Sequence, residues 1–387
     1  MDNKNDFRTT VYLGTIDGKP IRKCVRASSK EELQKKVIIL KNEIAKTHDI
    51  YITAYFDEWA DKWLNEYKIP SGISLGTINQ YDSAIKHLNS EFKHMELKDI
   101  NLSMFQKFIN KLSIKNPNTN KPMSKSTLSN IIKVAKGIFR YARSNRVAGV
   151  PDFFQDVIVP KNAIKNYRRA LTEQEQEMII DTPHRCQLAA MIMMFSGLRR
   201  GELIPLEWSD INLNEGYIIV NKSVDLQSGK SILKDGGKSA NANRIISIPP
   251  ILIEYLQNYK KFNHIFGGIV CPNMSGNYHT NSSFRKMWDS YLLELNIKYG
   301  YPNRDISKFQ PYKIPMKIER FTPHYLRHTY ATILYLQGID VVTMKQMMGH
   351  SNIQTTVDIY TDLQNNKTNL SDNYKEKLIN EYKINCA

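Results

Sequence analysis

No stretch of this chain is apolar for long enough to cross a membrane, which removes the integral helical membrane classes. Residues 1–20 lack the charged-then-apolar pattern of a secretory signal, so a soluble, cytoplasmic protein is expected. Cysteine is scarce: Cys24, Cys186, Cys271 and Cys386 are too scattered for a CxxC metal site and read as free thiols. Internal repeats and low-complexity tracts are missing too, which excludes solenoids and fibrous arrays. Acid is the scarce charge, with 38 Asp and Glu against 54 Lys and Arg, a net of +16 over 387 residues. The excess is spread as +4, +5 and +7 over residues 1–50, 51–160 and 161–387, so it is no basic tail. A protein that tracks a polyanion along its length fits that distribution. A lysine-rich proteome fits it as well, since Lys outnumbers Arg 38 to 16.

The length suggests two or three domains. Residues 9–27 alternate apolar and polar around Asp17-Gly18, a hairpin signal. Ser28 or Ser29 then caps a helix carrying Leu33, Val37, Leu40 and Ile44 at helical spacing. Lys19, Arg22, Lys23 and Arg26 cluster on this ribbon. A basic β-ribbon can enter a DNA major groove, and a solvated strand face explains the same residues equally well. Residues 51–150 read as four helices, around Ile52–Trp63, from Ser74, after Asn101–Ser103, and from Ser124. Their aromatics are core residues. Lys125, Lys133, Lys136, Arg140 and Arg143 share a face of the fourth helix, solvated by default and open to phosphate contact. Residues 151–169, with Pro151, Pro160 and a basic run, read as a linker. Beyond it Leu188–Phe195 is a buried helix, and Tyr217–Val224 is a strand whose expected partner is Ile245–Ile248. The fold class expected is multidomain α+β. It comprises a small sheet-plus-helix domain (1–48), an all-helical domain (51–150), and a mostly helical domain with a small antiparallel sheet and a C-terminal tail (170–387).

Chemistry concentrates between Thr322 and Leu363. Thr322-Pro323 opens a helix, so His324, Arg327 and His328 share one face at its amino end, where an anion sits well. Gly338 ends that helix. Asp340 caps the next, Gly349 ends it, and His350 follows. Ser351 or Asn352 caps a last short helix presenting Tyr360. Upstream, Arg199 follows the Ser196-Gly197 break, and Glu202, three residues on, can brace it. Arginine suits such a place because its planar fork grips two phosphate oxygens. Each of these residues alone has an ordinary structural explanation. Three histidines could suggest zinc, but Arg327 lies between His324 and His328, and no cysteine or carboxylate pair completes a ligand set. No metal and no cofactor are expected.

The segments Ser196-Gly-Leu-Arg-Arg-Gly-Glu202, His324-Tyr-Leu-Arg-His-Thr-Tyr-Ala-Thr332 and Met348-Gly-His350 with Tyr360 resemble the boxes of the tyrosine recombinase (phage integrase) family. The resemblance is strong over about residues 170–365. It extends more weakly to the helical segment, similar to the family's core-binding domain. By layout, the N-terminal segment resembles the arm-binding domain of integrases from phages and conjugative transposons. The resemblance implies a site-specific recombinase in which Tyr360 attacks a DNA phosphorus and leaves a 3′-phosphotyrosyl link. Arg199 and Arg327 would hold the non-bridging oxygens, and His324 and His350 would bond the phosphate or move protons. Glu202 and His328 would support them. The family also uses a lysine on a β-hairpin as general acid. Here that is Lys238, at the better distance from Arg244, with Lys234 the alternative. Implied partners are double-stranded DNA, three further copies in a homotetramer, and an accessory excision factor. The rival reading is a type IB topoisomerase-like enzyme. Leu370, Tyr374, Leu378, Ile379 and Tyr382 recur at helical spacing in a tail that docks on its own domain or on a neighbour's.

Overall fold

The computed structural model describes residues 7–16, 19–47, 54–116, 119–165, 169–227, 230–235, 243–265, 267–302, 306, 313–350, 352–354, 356–357, 361 and 371–384. The chain divides into two compact units, with the boundary between Asn166 and Tyr167.

The first unit opens with β1 (Phe7–Ile16) and β2 (Lys19–Ala27), paired antiparallel with a register shift between Tyr12 and Gly14. Helix α1 (Lys30–Thr47) follows. The Ser29 hydroxyl accepts from the Glu32 amide at 3.1 Å, the cap expected from the Ser-Ser pair. Val11 and Val25 are buried under Leu33, Val37 and Leu40, so strand alternation and helical period meet in one small core. Four further helices build a separate core: α2 (Phe56–Lys62), α3 (Leu75–Phe92), α4 (Leu102–Ile114) and α5 (Lys125–Ser144). Ser74, Asn101 and Ser124 cap the last three through their side chains. Ile52 and Ile44 lie outside the described side chains. The first of the four helices does not run straight through. At Trp63–Lys68 it widens into a π-turn. Gly137 of α5 explains the fit there, because a Cβ at that position would stand 2.8 Å from the Trp63 ring.

Phe56, Phe92, Phe105, Phe108 and Phe139 meet in this core, joined by Phe153 and Phe154 from beyond α5. Each buried phenyl contributes about 1.5–3 kcal/mol. The residues read as the start of a linker thus supply two of its rings, and Ala163 is buried there too.

The second unit surrounds α7 (Gln187–Ser196), every residue of which is buried. A helix apolar on all sides must sit at the centre of its layer. Around it pack α6 (Glu173–Ile180), α9 (Pro250–Phe262), α10 (Asn281–Gly300) and α11 (Pro323–Leu336). The expected strand over Tyr217–Val224 is two strands in two sheets. The first, β4 (Tyr217–Val220), lies between β3 (Ile211–Asn212) and β7 (Arg244–Ser247) in an antiparallel sheet. The chain breaks at Asn221, and β5 (Lys222–Gln227) then forms its own hairpin with β6 (Lys230–Asp235). Periodicity alone joined two strands that the single residue Asn221 separates.

The tail packs onto its own unit. Helix α13 (Asp372–Asn380), which follows α12 (Val341–Met348), buries Tyr374 and Leu378, and Tyr382 and Ile384 follow into the same core. Gln337 donates to the Tyr382 carbonyl at 2.7 Å, and Phe195 meets the Tyr382 ring edge-on. Among the described residues no helix is long and apolar enough to cross a membrane.

Candidate active site

The Ser196–Glu202 segment folds as its residues dictate. Helix α7 ends on Gly197 in the left-handed conformation, φ +65°. A Cβ there would stand 2.3 Å from the Tyr330 ring, so glycine is required twice over, by conformation and by space. The chain then turns, and Arg199 becomes the N-cap of the short helix α8 (Arg200–Leu203). Glu202 accepts from the Arg199 amide at 2.9 Å and from its guanidinium at 2.7 Å. The brace expected from the sequence is therefore made by both backbone and side chain. Gly201 lies against β5: a Cβ there would come 3.1 Å from the Val224 carbonyl. The missing side chain lets the hairpin approach the arginine turn.

Arg327 rises from the first turns of α11 and is 2% exposed. Its guanidinium donates to the carbonyls of Gly197 and Met348. Thr322 caps α11 by position and Pro323 sits at N1, although the threonine side chain makes no capping bond. Asp340 caps α12 by accepting from the amides of Val342 and Thr343, and Gly349 ends it at φ +62°.

The carboxyl end of α12 is where the parts converge. Arg244 donates to the Met347 carbonyl at 3.0 Å, Arg327 to Met348, and Arg199 to Gly349 at 2.7 Å. Three arginines distant in sequence thus take three successive carbonyls left unpaired where the helix stops. That end of a helix carries partial negative charge and favours cations. Glu202 is the carboxylate shared by two of them: Arg244 reaches its two oxygens at 3.2 and 2.8 Å. In the sequence Arg244 serves only to mark the spacing of the hairpin lysine. Its place under Gly349, where a Cβ would stand 2.8 Å from the guanidinium, is a tertiary fact.

The charges shift one another. Burial alone would raise the Glu202 carboxyl, but the hydrogen bond and charge of Arg244, with Arg199, bring it down to about 2. Burial and repulsion from Arg199 and Arg244 lower Arg327 to about 9, against partial relief from Glu202. Burial and the charges of Arg327 and Arg199 push His350 down to about 3, so it is neutral near pH 7. The His350 Nδ1 lies 2.9 Å from the hydroxyl of the fully buried Thr356. Asn352 caps the helical turn that holds Thr356, accepting from the Gln354 amide at 3.0 Å.

His324 is exposed on the first turn of α11, and His328, half-buried, meets its ring edge-on at 5.1 Å. Arg199, Glu202, Arg327 and His350 are therefore brought together, with His324 three residues from Arg327 on the same helix. Tyr360 and Lys238 lie outside the described residues. Lys234 stands on β6 opposite Ser223, its side chain outside the description. On the first unit, Arg22, Lys23 and Arg26 are exposed on β2, while Lys19 pairs with Ile16 and its side chain is outside the description. Lys125, Lys133, Lys136 and Arg140 are exposed on α5. Arg143 leaves that face, turning to the Pro151 carbonyl and to Asp152 at 2.9 Å.

A family model described as the phage integrase family matches residues 169–367, the span holding every residue of this cluster. The chain belongs to the phage integrase family. A second model, the phage integrase N-terminal SAM-like domain, matches residues 55–113 of the helical unit. Among integrase relatives, the chain is 24% identical to a tyrosine recombinase XerC-like protein of Caldanaerobacter subterraneus subsp. tengcongensis, over 95% of each chain. It is 27% identical to the ICEBs1 integrase of Bacillus subtilis, over 46% of this chain and 44% of that one. Its fold is similar to that of the Tn1549 transposon integrase solved with transposon right end DNA. That likeness has a TM-score of 0.62 and 18% identity, and covers 81% of this chain and 100% of the other. It is similar also to a lambda integrase tetramer bound to a Holliday junction, TM-score 0.52, 18% identity, covering 87% and 90%. The two structural likenesses speak for the fold.

Proposed function

We propose that this family member is the integrase of a mobile element, a site-specific recombinase that cuts and rejoins DNA through a 3′-phosphotyrosyl intermediate. The observation that carries the reading is the convergence of Arg199 and Arg327 on adjacent carbonyls of the α12 terminus, with His350 next in the chain. In this reading a phosphate enters beside the two guanidiniums, which hold its non-bridging oxygens. They offset the charge that builds in the pentacoordinate transition state. Tyr360 forms the new bond to phosphorus while the bond to the 5′-oxygen breaks. His324, exposed at the anion-favouring end of α11, takes the phenolic proton, since a free tyrosine ionises only near pH ~10. Lys238, or Lys234 in the other register, delivers a proton to the leaving 5′-oxygen. His350, being neutral, offers a hydrogen bond rather than a charge. The link conserves the energy of the broken bond, so rejoining needs no ATP.

The partners follow from that chemistry. Exchange between two duplexes needs four cleaved strands, hence four copies of the chain on double-stranded DNA. An accessory excision factor and a place in the bacterial cytoplasm, on the nucleoid, belong to the same proposal. The sheet-plus-helix segment would bind arm-type sites through Arg22, Lys23 and Arg26. The helical domain would track phosphates with the α5 face. The topoisomerase reading is not favoured, since the relatives are named recombinases and integrases.

The deciding experiment incubates the full chain with a nicked cognate site in EDTA and separates products on a denaturing gel. A covalent adduct that disappears in Tyr360→Phe is expected. No adduct on cognate DNA overturns the proposal, and relaxation of one plasmid without exchange between two duplexes returns the topoisomerase reading.

A further inference from the structure

His350 is 8% exposed and Thr356 is fully buried, so bulk water cannot replace the 2.9 Å contact between Nδ1 and Oγ1. A neutral imidazole carries one ring proton, and the partner at one nitrogen decides which nitrogen bears it. If the threonine hydroxyl donates to Nδ1, the proton resides on Nε2. If it accepts, Nε2 has only a lone pair, which repels a phosphate oxygen. Thr356 also stands four residues before Tyr360 in the sequence, on the turn that Asn352 caps.

Resting on the function proposed above, we propose that Thr356 is a positioning residue for the cleavage step. Its hydroxyl donates to His350 Nδ1, holds the imidazole as the Nε2–H donor, and ties the segment leading to Tyr360 to the arginine cluster. One buried bond then sets both the hydrogen-bonding sense of the histidine and the place of Thr356, four residues before the nucleophile in the sequence. Nothing but a hydroxyl at this place does both: valine keeps the shape and removes the donor, while serine keeps the donor.

The test measures single-turnover adduct formation on the nicked site by wild type, Thr356→Val, Thr356→Ser, His350→Phe and the double variant His350→Phe/Thr356→Val. Thr356→Val should slow cleavage about tenfold, the scale of one lost hydrogen bond, and Thr356→Ser should recover most of it. In the His350→Phe background the valine should add little, because the two residues act as one unit. Equal rates for wild type and Thr356→Val overturn the proposal, as does a valine effect undiminished when His350 is absent. Should the valine variant fail to fold, nitrogen NMR of the wild-type chain labelled in histidine decides it. An Nε2–H tautomer at His350 supports the proposal and an Nδ1–H tautomer overturns it. A wild-type chain that forms no adduct defeats the recombinase reading instead, and the tautomer still judges the Thr356 bond.

Discussion

Arg244 holds both oxygens of Glu202, at 3.2 and 2.8 Å, and so binds the strand that leaves the lysine hairpin to the helix that begins beside Arg199. The pair is nearly buried, with side-chain exposures of 7% and 10%. Removing Arg244 takes from the buried Glu202 one of its two guanidiniums and leaves it Arg199 alone, a change that costs up to about 3–5 kcal/mol. Arg244→Gln should therefore destabilise the second unit on that scale by calorimetry. It should also lower adduct formation more than DNA affinity, because Arg199 loses the fixed position of its brace. A variant that melts with the wild type would count against this account.

Acid stability should carry the signature of Glu202. Its folded value of about 2 lies below the ordinary 4.5 of a glutamate. The stabilisation is fully present above 4.5 and is lost as pH falls through about 2. It amounts to about 3 kcal/mol. Glu202→Gln should remove that pH dependence from urea unfolding followed from mildly acidic pH down to about 2.

The rate of cleavage should not titrate with His350 near neutral pH, since the ring is neutral above about 3. Burial and the neighbouring guanidiniums lower Arg327 below the ordinary arginine value, but an arginine keeps its proton in a protein, so its charge persists on the alkaline side. Arg327→Lys should keep DNA binding and lose most cleavage, since a point charge cannot bond Gly197 and Met348 together.

Three glycines at positive φ should separate by what surrounds them. Gly338→Ala, at φ +75° with nothing within 4 Å, should cost only about 1–2 kcal/mol of backbone strain. Gly197→Ala and Gly349→Ala, facing the Tyr330 ring and the Arg244 guanidinium, should cost more, and the second should also cut the cleavage rate. Melting temperatures should fall least for Gly338→Ala and further for the other two.

On the helical domain, Lys133→Ala, Lys136→Ala and Arg140→Ala should each weaken binding to any DNA sequence. Each should also reduce the salt slope by about 0.9 for every phosphate that the chain no longer neutralises. Arg143→Ala should instead act on stability, through the missing bonds to Asp152 and Pro151. An unchanged salt slope in the triple variant would place DNA elsewhere.

Local devices are legible in the order of the residues. Ser74, Asn101, Ser124 and Asp340 cap the helices their neighbours begin, and Gly197 and Gly349 stop helices where a left-handed residue is needed. These signals act within four residues, so spacing reveals them. The pairing of Glu202 with Arg199 is readable for the same reason. Folding alone established that Arg244 shares Glu202, that three arginines share the end of α12, and that Thr356 meets His350. It also divided Tyr217–Val224 between two sheets and turned the tail onto its own core. Those outcomes depend on burial and charge brought together from 42 and 150 residues away, and no local period encodes such distances.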